Sequence, residues 1–287
     1  MSPIPVIAIF DVGKTNKKLF LFDENYKIVF EKSARFIETE DEDGYPCENL
    51  DSLRLSIFDS LSEIFRLKEF QVRAVNFSTY GASFVYIGEG GQPLTKLYNY
   101  LKPYPEELSD KLYAKYGGKD AFSIQTASPT LGSLNSGLQL YRLKKEQPEV
   151  FDKVKYALHL PQYVSYLLTG NACSDVTSIG CHTAMWDFDK NRYHEWIQHE
   201  GLAIKLPPII AANKVVPALF PGNSQSSRCC TTRNGDFAKS IFGFNLVECS
   251  EGTMRRCFNC SRILVRPAMP AADSRWPMLD FTEPMRH

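Results

Sequence analysis

The sequence lacks several features that would place it in a functional class at once. Its 33 basic and 33 acidic residues cancel, so no surplus charge attracts nucleic acid or an anionic membrane surface. It has no apolar run near the roughly 18 residues of a membrane span, and its start lacks the basic segment of a signal peptide. We therefore interpret the eight cysteines as reduced thiols, and we expect a cytoplasmic protein without nucleic-acid or membrane partners.

The chain changes its composition near Pro221-Gly222. Residues 1–221 contain 18 Lys and 6 Arg, whereas residues 222–287 contain 1 Lys and 8 Arg. All 14 tyrosines precede this point, and five of the eight cysteines follow it. We therefore predict a domain over 1–221 and an atypical tail over 222–287, with little helix or strand periodicity after about Glu248.

The first part has the element order of an α/β domain. Apolar runs at Val6–Phe10, Leu19–Phe22 and Lys27–Phe36 predict a meander of three strands. Leucines and isoleucines at helical spacing predict an amphipathic helix over Cys47–Lys68. The other predicted elements are strands at Val72–Ser78 and Ser83–Ile87, helices at Leu134–Lys145, Pro148–Leu168 (broken near Pro161, with Gly170 at the end) and Tyr193–His199, and a β-prone stretch at Asp175–Phe188.

The stretch IFDVGKTNKK, residues 9–18, contains Gly-Lys-Thr, which is also how a P-loop ends. A P-loop needs an earlier glycine at position 8 and a helix after the loop, so that backbone amides and the helix N-terminus hold phosphate. Position 8 is Ala8, and the apolar run that follows predicts a strand. The sequence therefore excludes a P-loop here.

A hairpin turn that binds phosphate fits the same residues better. Gly13, Thr15 and Asn16 supply a tight backbone and polar donors, and Lys17 or Lys18 could add a cation. In the actin-like ATPase architecture, an acid at the end of the first strand helps to hold Mg²⁺ through water, because Mg²⁺ gives up its hydration shell reluctantly; Asp11 has that position. The alternative is an ordinary hairpin turn, which favours Asp, Gly and Asn for backbone reasons alone.

The same stretch, FDVGKTNKKLFLFD, resembles the first phosphate motif of the FGGY family of carbohydrate kinases, D-x-G-T-x-x-x-R. Lys18 stands at the basic position, and Lys14 replaces a small residue. The resemblance implies an actin-like ATPase (ribonuclease H-like) domain with a mixed sheet and flanking helices. It also implies ATP and Mg²⁺ as cofactors, and transfer of a phosphoryl group to a hydroxyl of a small sugar.

A second stretch, TYGASFVYI, resembles the sugar-binding strand of that family and is most similar to its rhamnulokinase branch. By this match the residues that approach the sugar are Thr79, Tyr80, Gly81, Ala82 and Ser83. Further on, YNYLK places Lys102 at a substrate-binding arginine of the family. The alternative is that these tyrosines are plain aromatic residues of a sheet.

A third stretch, from LHLPQYVSYLLTG to the tryptophan of HEWI, resembles the later part of the family's first domain. It places Asp175 and Thr177 beside the site, although a solvated turn after a helix would use the same residues. Gln162 replaces the usual aspartate of the family. Together the three stretches extend the resemblance over about residues 6–215.

The catalytic residue of the family is missing from the expected place. The family has a base aspartate in a G-x-H-D or G-x-x-D stretch that opens its second domain, after residue 223 here, and we find no such stretch. We interpret 222–287 as read out of frame, or as a truncated start of the second, nucleotide-binding domain. The alternative is a zinc module built on Cys257 and Cys260 with Cys229-Cys230.

The sequence therefore predicts a carbohydrate kinase domain with a small sugar and a nucleotide as partners. Its catalytic residue stays unknown, and we expect the chain by itself to be inactive or impaired. A non-catalytic actin-like sugar-binding or interaction module is the alternative, and a homodimer stays open.

Overall fold

The computed structural model describes residues 2–211, 216, 245–246 and 261–266. Twelve strands occur in this part of the chain. They are β1 (Ile4–Val12), β2 (Lys17–Phe22), β3 (Ile28–Ala34), β4 (Thr39–Glu40), β5 (Pro46–Cys47), β6 (Phe70–Thr79), β7 (Phe84–Ile87), β8 (Tyr156–His159), β9 (Trp186–Asp187), β10 (Arg192–Tyr193), β11 (Asn245–Leu246) and β12 (Ser261–Arg266).

Eight α-helices occur in the same part of the chain. They are α1 (Leu50–Arg66), α2 (Glu106–Lys115), α3 (Lys119–Thr126), α4 (Ser136–Glu146), α5 (Pro148–Lys153), α6 (Leu160–Thr169), α7 (Val176–Ile179) and α8 (Glu195–His199). Within the described ranges, no helix is long and apolar enough to cross a lipid bilayer.

A six-stranded mixed sheet in the order β11-β12-β6-β1-β2-β3 organises the fold. The predicted meander is correct, because β1 pairs antiparallel with β2, and β2 with β3. On its other side β1 pairs in parallel with β6, after the chain has crossed over through α1. Parallel neighbours bring their carboxyl ends to the same edge of a sheet, and this places the two segments that follow β1 and β6 side by side.

The main core lies on one face of this sheet. Residues of β1 alternate, with Val6, Ala8 and Phe10 buried, and they pack in one cluster with apolar residues of α1 and α6. Helix α1 begins where Asn49 accepts a hydrogen bond from the Ser52 amide at 2.9 Å, which satisfies one of the free amides of its first turn. A second apolar cluster, which includes Phe122 and Trp196, joins α2–α5 to β7–β10.

Three sequence predictions differ from the structure. The helix predicted over Pro148–Leu168 is wrong in its middle, because Tyr156–His159 is a strand that pairs antiparallel with β7. The β-prone stretch Asp175–Phe188 begins with the short helix α7 instead, which the Asp175 carboxylate caps. In the tail, where we expected little periodicity, Ser261–Arg266 pairs antiparallel with β6.

Candidate functional site

Two segments that the sequence singled out meet at one edge of the sheet. The register of β1 and β6 places Asp11 opposite Ser78 and Val12 opposite Thr79. Beyond the last pair, the Tyr80 amide donates to the Val12 carbonyl at 3.1 Å. The predicted phosphate turn (Gly13–Asn16) and the predicted sugar segment (Thr79–Ser83) therefore leave the sheet next to each other.

The phosphate turn is tight and open to solvent. The Gly13 amide donates to the Asn16 carbonyl at 2.9 Å and closes the turn. A Cβ atom at Gly13 would lie 3.0 Å from that carbonyl oxygen, so a larger residue would strain the turn. Thr15 and Asn16 are exposed, which leaves their polar groups accessible to an anion.

Asp11, the predicted Mg²⁺ ligand, lies exposed to solvent near the end of β1. Its Cα lies opposite Lys18 in the β1–β2 register, and the residue is exposed. Its carboxylate makes no side-chain hydrogen bond or ion pair with the described part of the chain. No group of three or more His, Cys, Asp or Glu that could hold a metal occurs in that part. A magnesium ion here would therefore rely on one carboxylate, water and the phosphates.

The two lysines after the turn lie on opposite faces of the sheet. Lys17 is buried, and its Nζ donates to Glu48 Oε2 at 2.9 Å and to the Lys14 carbonyl at 3.2 Å. Lys18 projects from the other face, where its Nζ donates to Glu31 Oε1 at 2.8 Å. Of these two lysines, Lys18 is the one whose side chain can reach a ligand in solvent.

The first two residues of the sugar segment face the core. Thr79 and Tyr80 are buried, and the Thr79 hydroxyl donates to the Tyr80 carbonyl at 2.8 Å. The Tyr80 hydroxyl donates to Glu48 Oε2 at 3.4 Å. Burial, together with the nearby Glu48 carboxylate, raises the pKa of Tyr80 well above its ordinary value. Both side chains are therefore held inside the protein.

The next two residues, Gly81 and Ala82, are half-buried and form the open part of the segment, and Ser83 is buried again. No atom lies within 4 Å of a Cβ built on Gly81, so this position borders free space. Ala82 has a φ of 64°, a left-handed conformation that is costly for a residue with a Cβ, and its carbonyl accepts from Gln139 Nε2 at 2.5 Å. Ser83 is buried and donates to the Tyr98 carbonyl at 3.0 Å.

Lys102 and Asp175 have structural partners away from the turn. Lys102 Nζ donates to Asp41 Oδ2 at 2.5 Å and pairs with Asp43 at 2.7 Å. Burial opposes the charged form of Lys102, but its bonds to Asp41 and Asp43 outweigh burial and raise its pKa. Asp175 is buried and accepts from the Thr177 amide at 2.8 Å and from Gln162 Nε2 at 2.7 Å.

Sequence reasoning missed several residues of this site. Glu48, which accepts from both Lys17 and Tyr80, belonged to no motif. Neither did Gln139, nor Arg35, whose Nε donates to Asn16 Oδ1 at 3.0 Å. Only the burial of Lys17 could have been predicted from the sequence, because Lys17 lies two residues before Leu19 and shares with Leu19 and Leu21 the buried face of β2. The expected base position after residue 223 and the cysteines of the zinc alternative lie outside the described residues, as does most of the tail.

Comparison with known proteins identifies similar chains. The model of the FGGY family of carbohydrate kinases, N-terminal domain, matches residues 6–227. A rhamnulokinase from Halalkalibacterium halodurans is 26% identical over 186 residues, which cover 62% of this chain and 39% of the relative. A rhamnulokinase from Oceanobacillus iheyensis is 22% identical over 187 residues, with the same shares covered.

Solved structures show the same fold. A gluconate kinase from Lactobacillus acidophilus superposes with a TM-score of 0.67 at 20% identity, over 75% of this chain and 44% of that one. A glycerol kinase from Plasmodium falciparum, solved with ADP, gives 0.66 at 14% identity over 93% and 62%. The chain spans about two fifths of the length of the two rhamnulokinases that it matches.

Proposed function

The chain belongs to the FGGY family of carbohydrate kinases, and on this basis we propose that it forms the sugar-facing half of an ATP-dependent sugar kinase. The kinase would transfer a phosphoryl group to a hydroxyl of a small sugar. The observation that carries the proposal is the position of the phosphate turn beside the sugar segment, through the parallel β1–β6 pair. Phosphoryl transfer depends mainly on positioning and on stabilising charge, and this arrangement would bring a bound phosphate and a bound sugar close together.

On the phosphate side, the turn amides, Thr15 and Asn16 would bind phosphate oxygens, and Lys18 would add a positive charge. Asp11 would hold Mg²⁺ through water. When bound, Mg²⁺ would neutralise the negative charge of the phosphates. These residues are exposed or half-buried, so an anion can reach them without opening the core.

On the sugar side, we assign the contact to the opening at Gly81 and to the backbone of Gly81 and Ala82. The side chains of Thr79 and Ser83 already bind backbone carbonyls. A sugar presents many hydroxyl groups, and backbone amides and carbonyls can bind these with defined geometry. Tyr80 would act by supporting this backbone from the core side. Lys102 and Asp175 would support the site through the loop and the helix that they stabilise.

We propose little or no turnover by this chain alone, because the residues past 222 contain no stretch that matches the family's base. A coupled ADP-release assay over rhamnulose, xylulose, gluconate and glycerol tests this. These compounds are taken from the names of the relatives, which also include a xylulose kinase from Lactobacillus acidophilus. We expect turnover near background, and robust turnover with any of them would overturn the proposal of an impaired chain.

Calorimetry with the same compounds separates the kinase half from the alternative. Binding of a sugar together with ATP–Mg²⁺ would support the kinase assignment. Binding of a sugar without any nucleotide would favour a non-catalytic sugar-binding module. We also propose a cytoplasmic location. A homodimer stays open, and the mass of the protein in solution would test it.

A further inference from the structure

An open concavity lies beside the phosphate turn, on the face of the sheet opposite the main core. Its volume is about 490 Å³, and it is lined by Asn16, Lys18, Ser33, Ala34 and Arg35. Lys18 lies opposite Ser33 in the β2–β3 register, and Arg35 follows directly after β3. The end of the hairpin therefore presents two positively charged side chains and one amide at a single surface.

Arg35 is the residue of this surface that no sequence motif indicated. Its side chain is exposed, and it forms no ion pair with any described residue. Its Nε donates to Asn16 Oδ1 at 3.0 Å. This bond fixes one edge of the guanidinium and leaves its two terminal nitrogens for a ligand.

The same hydrogen bond orients the Asn16 side chain. A guanidinium only donates hydrogen bonds, so the Asn16 atom that faces Arg35 must be the oxygen. The amide nitrogen of Asn16 therefore points away from Arg35 and can donate to another acceptor. Arg35 thus acts in two ways, by its own charge and by holding Asn16 in a donating orientation.

Lys18 can contribute to phosphate binding because its ion pair with Glu31 is weak. It pairs with Glu31 at the surface, where the side chains are 39% and 43% exposed. Exposed pairs of this kind contribute about 0–1 kcal/mol. A phosphate group carries more charge than one carboxylate, so Lys18 can turn from Glu31 to a bound phosphate at small cost.

We propose that Arg35 extends the proposed phosphate site as a phosphate-binding residue that also positions Asn16. Guanidinium, ammonium and amide donors together suit phosphate oxygens, whereas a neutral sugar would leave the Arg35 charge without a counter-charge. The inference rests on the proposed function, since it extends the same phosphate site. It adds to that site one residue beyond the turn, which supplies a positive charge for the phosphate chain and orients Asn16.

Calorimetric titration of the whole chain with inorganic tripolyphosphate and with ATP tests the proposal. We expect Arg35→Ala to weaken the binding of both at least tenfold, because both carry the phosphate chain. Arg35→Lys should recover only part of the loss, since it keeps the charge but lacks the fork that holds Asn16. The matched control is Arg54→Ala, an exposed arginine on α1, which packs on the other face of the sheet; it should bind like the wild type.

Asn16→Ala separates the two effects of Arg35. If Arg35 acts partly through Asn16, the double variant should lose less binding free energy than the sum of the two single losses.

Binding of tripolyphosphate by Arg35→Ala within twofold of the wild type would overturn the inference and leave the proposed function standing. A wild-type chain that binds neither anion would overturn both, while its titration with sugars would still show whether the sugar side works. A thermal melt of each variant would show that the exposed substitutions leave the fold intact.

Discussion

The phosphate turn and the sugar segment are neighbours at one sheet edge, yet they are built in opposite ways. In the turn, Thr15 and Asn16 are exposed and the backbone closes on itself through one hydrogen bond. In the sugar segment, the side chains of Thr79, Tyr80 and Ser83 are buried and bonded inside the protein. The turn thus offers its side chains to a ligand, whereas the sugar segment offers mainly its backbone and the space at Gly81.

Under the proposed function, this difference separates two kinds of ligand recognition. Binding an anion at an exposed turn requires little rearrangement, and the strength of binding follows from charge. A ligand at Gly81 meets a backbone held rigid by the core, so its shape decides whether it fits. Changes in the turn should therefore alter affinity for phosphate with little effect on folding, and changes in the sugar segment should affect stability as well.

The largest expected effect concerns the buried pair that joins the two segments. Lys17→Met would leave Glu48 as an uncompensated charge in the core, which typically destabilises a protein by about 3–5 kcal/mol. Urea unfolding followed by circular dichroism measures this. The neighbouring variant Lys18→Met is the control, because its exposed partner Glu31 should make the loss less than about 1 kcal/mol.

A second variant tests whether the pair or the folding of β2 is responsible. Replacing both partners, as Lys17→Met with Glu48→Leu, removes the charge along with its partner and should recover most of the lost stability. Equal losses for Lys17→Met and Lys18→Met would contradict the claim that Lys17 ties the turn to the core.

The next effect depends on pH and concerns His159, whose Cα pairs with that of Phe84, one residue after the sugar segment. Its Nε2 lies 2.9 Å from the Ser136 hydroxyl, and burial lowers its pKa from 6.5 to about 3. Since the unfolded chain binds the proton more readily, folding stability is complete above pH 6.5 and falls as the pH decreases towards 3.

Urea unfolding at a series of pH values measures the loss, which should reach about 3 kcal/mol at about pH 4 from this residue alone. The control is His159→Leu, which cannot be protonated and should show a flatter pH dependence below pH 6.5. Identical slopes for the two proteins would show that the acid sensitivity arises elsewhere.

The smallest effect concerns the strained alanine of the sugar segment. Ala82→Gly should stabilise the fold by up to about 1 kcal/mol, because glycine removes the cost of the left-handed conformation, although it adds freedom to the unfolded chain. Ala127 also has a positive φ, of 45°, at the end of α3, so Ala127→Gly is the matched control. Both variants should gain stability in thermal melts, while only Ala82→Gly should change sugar binding. A clear loss of stability at Ala82 alone would mean that its Cβ makes a contact that outweighs the strain.

The sequence predicted the local parts of the fold and less of its long-range pairing. The meander and α1 have clear periodicity, and Gly170 was correctly placed at the end of α6, where its φ is 64°. Strand β8 was missed because its four residues lie between two helices and depend on pairing with β7. Local pattern carries no information about such pairing.

In the candidate site, too, the sequence indicated local motifs but not the contacts between distant residues. Motifs singled out Asp11, the turn and Gly81 one by one, and the sheet then brings these segments to one edge. They could not show that Tyr80 faces Glu48 or that Lys102 binds Asp41, because these partners are 32 and 61 residues apart in sequence. Arg35 was missed for the same reason, since its partner Asn16 lies 19 residues earlier.

The central claim is that the opening at Gly81 is where a sugar binds beside the phosphate turn. Gly81→Val tests it most directly, because no atom lies within 4 Å of the added Cβ. The variant should therefore fold normally while its side chain fills the opening. Ala114→Val, an exposed position on α2, is the control for added bulk.

Calorimetric titration of rhamnulose, xylulose, gluconate and glycerol into the three proteins is the decisive measurement. The account predicts that at least one compound binds the wild type and Ala114→Val equally, and that Gly81→Val loses this binding with an unchanged melting temperature. Binding to Gly81→Val as strong as to the wild type, or no binding to the wild type by any of the four, would contradict it.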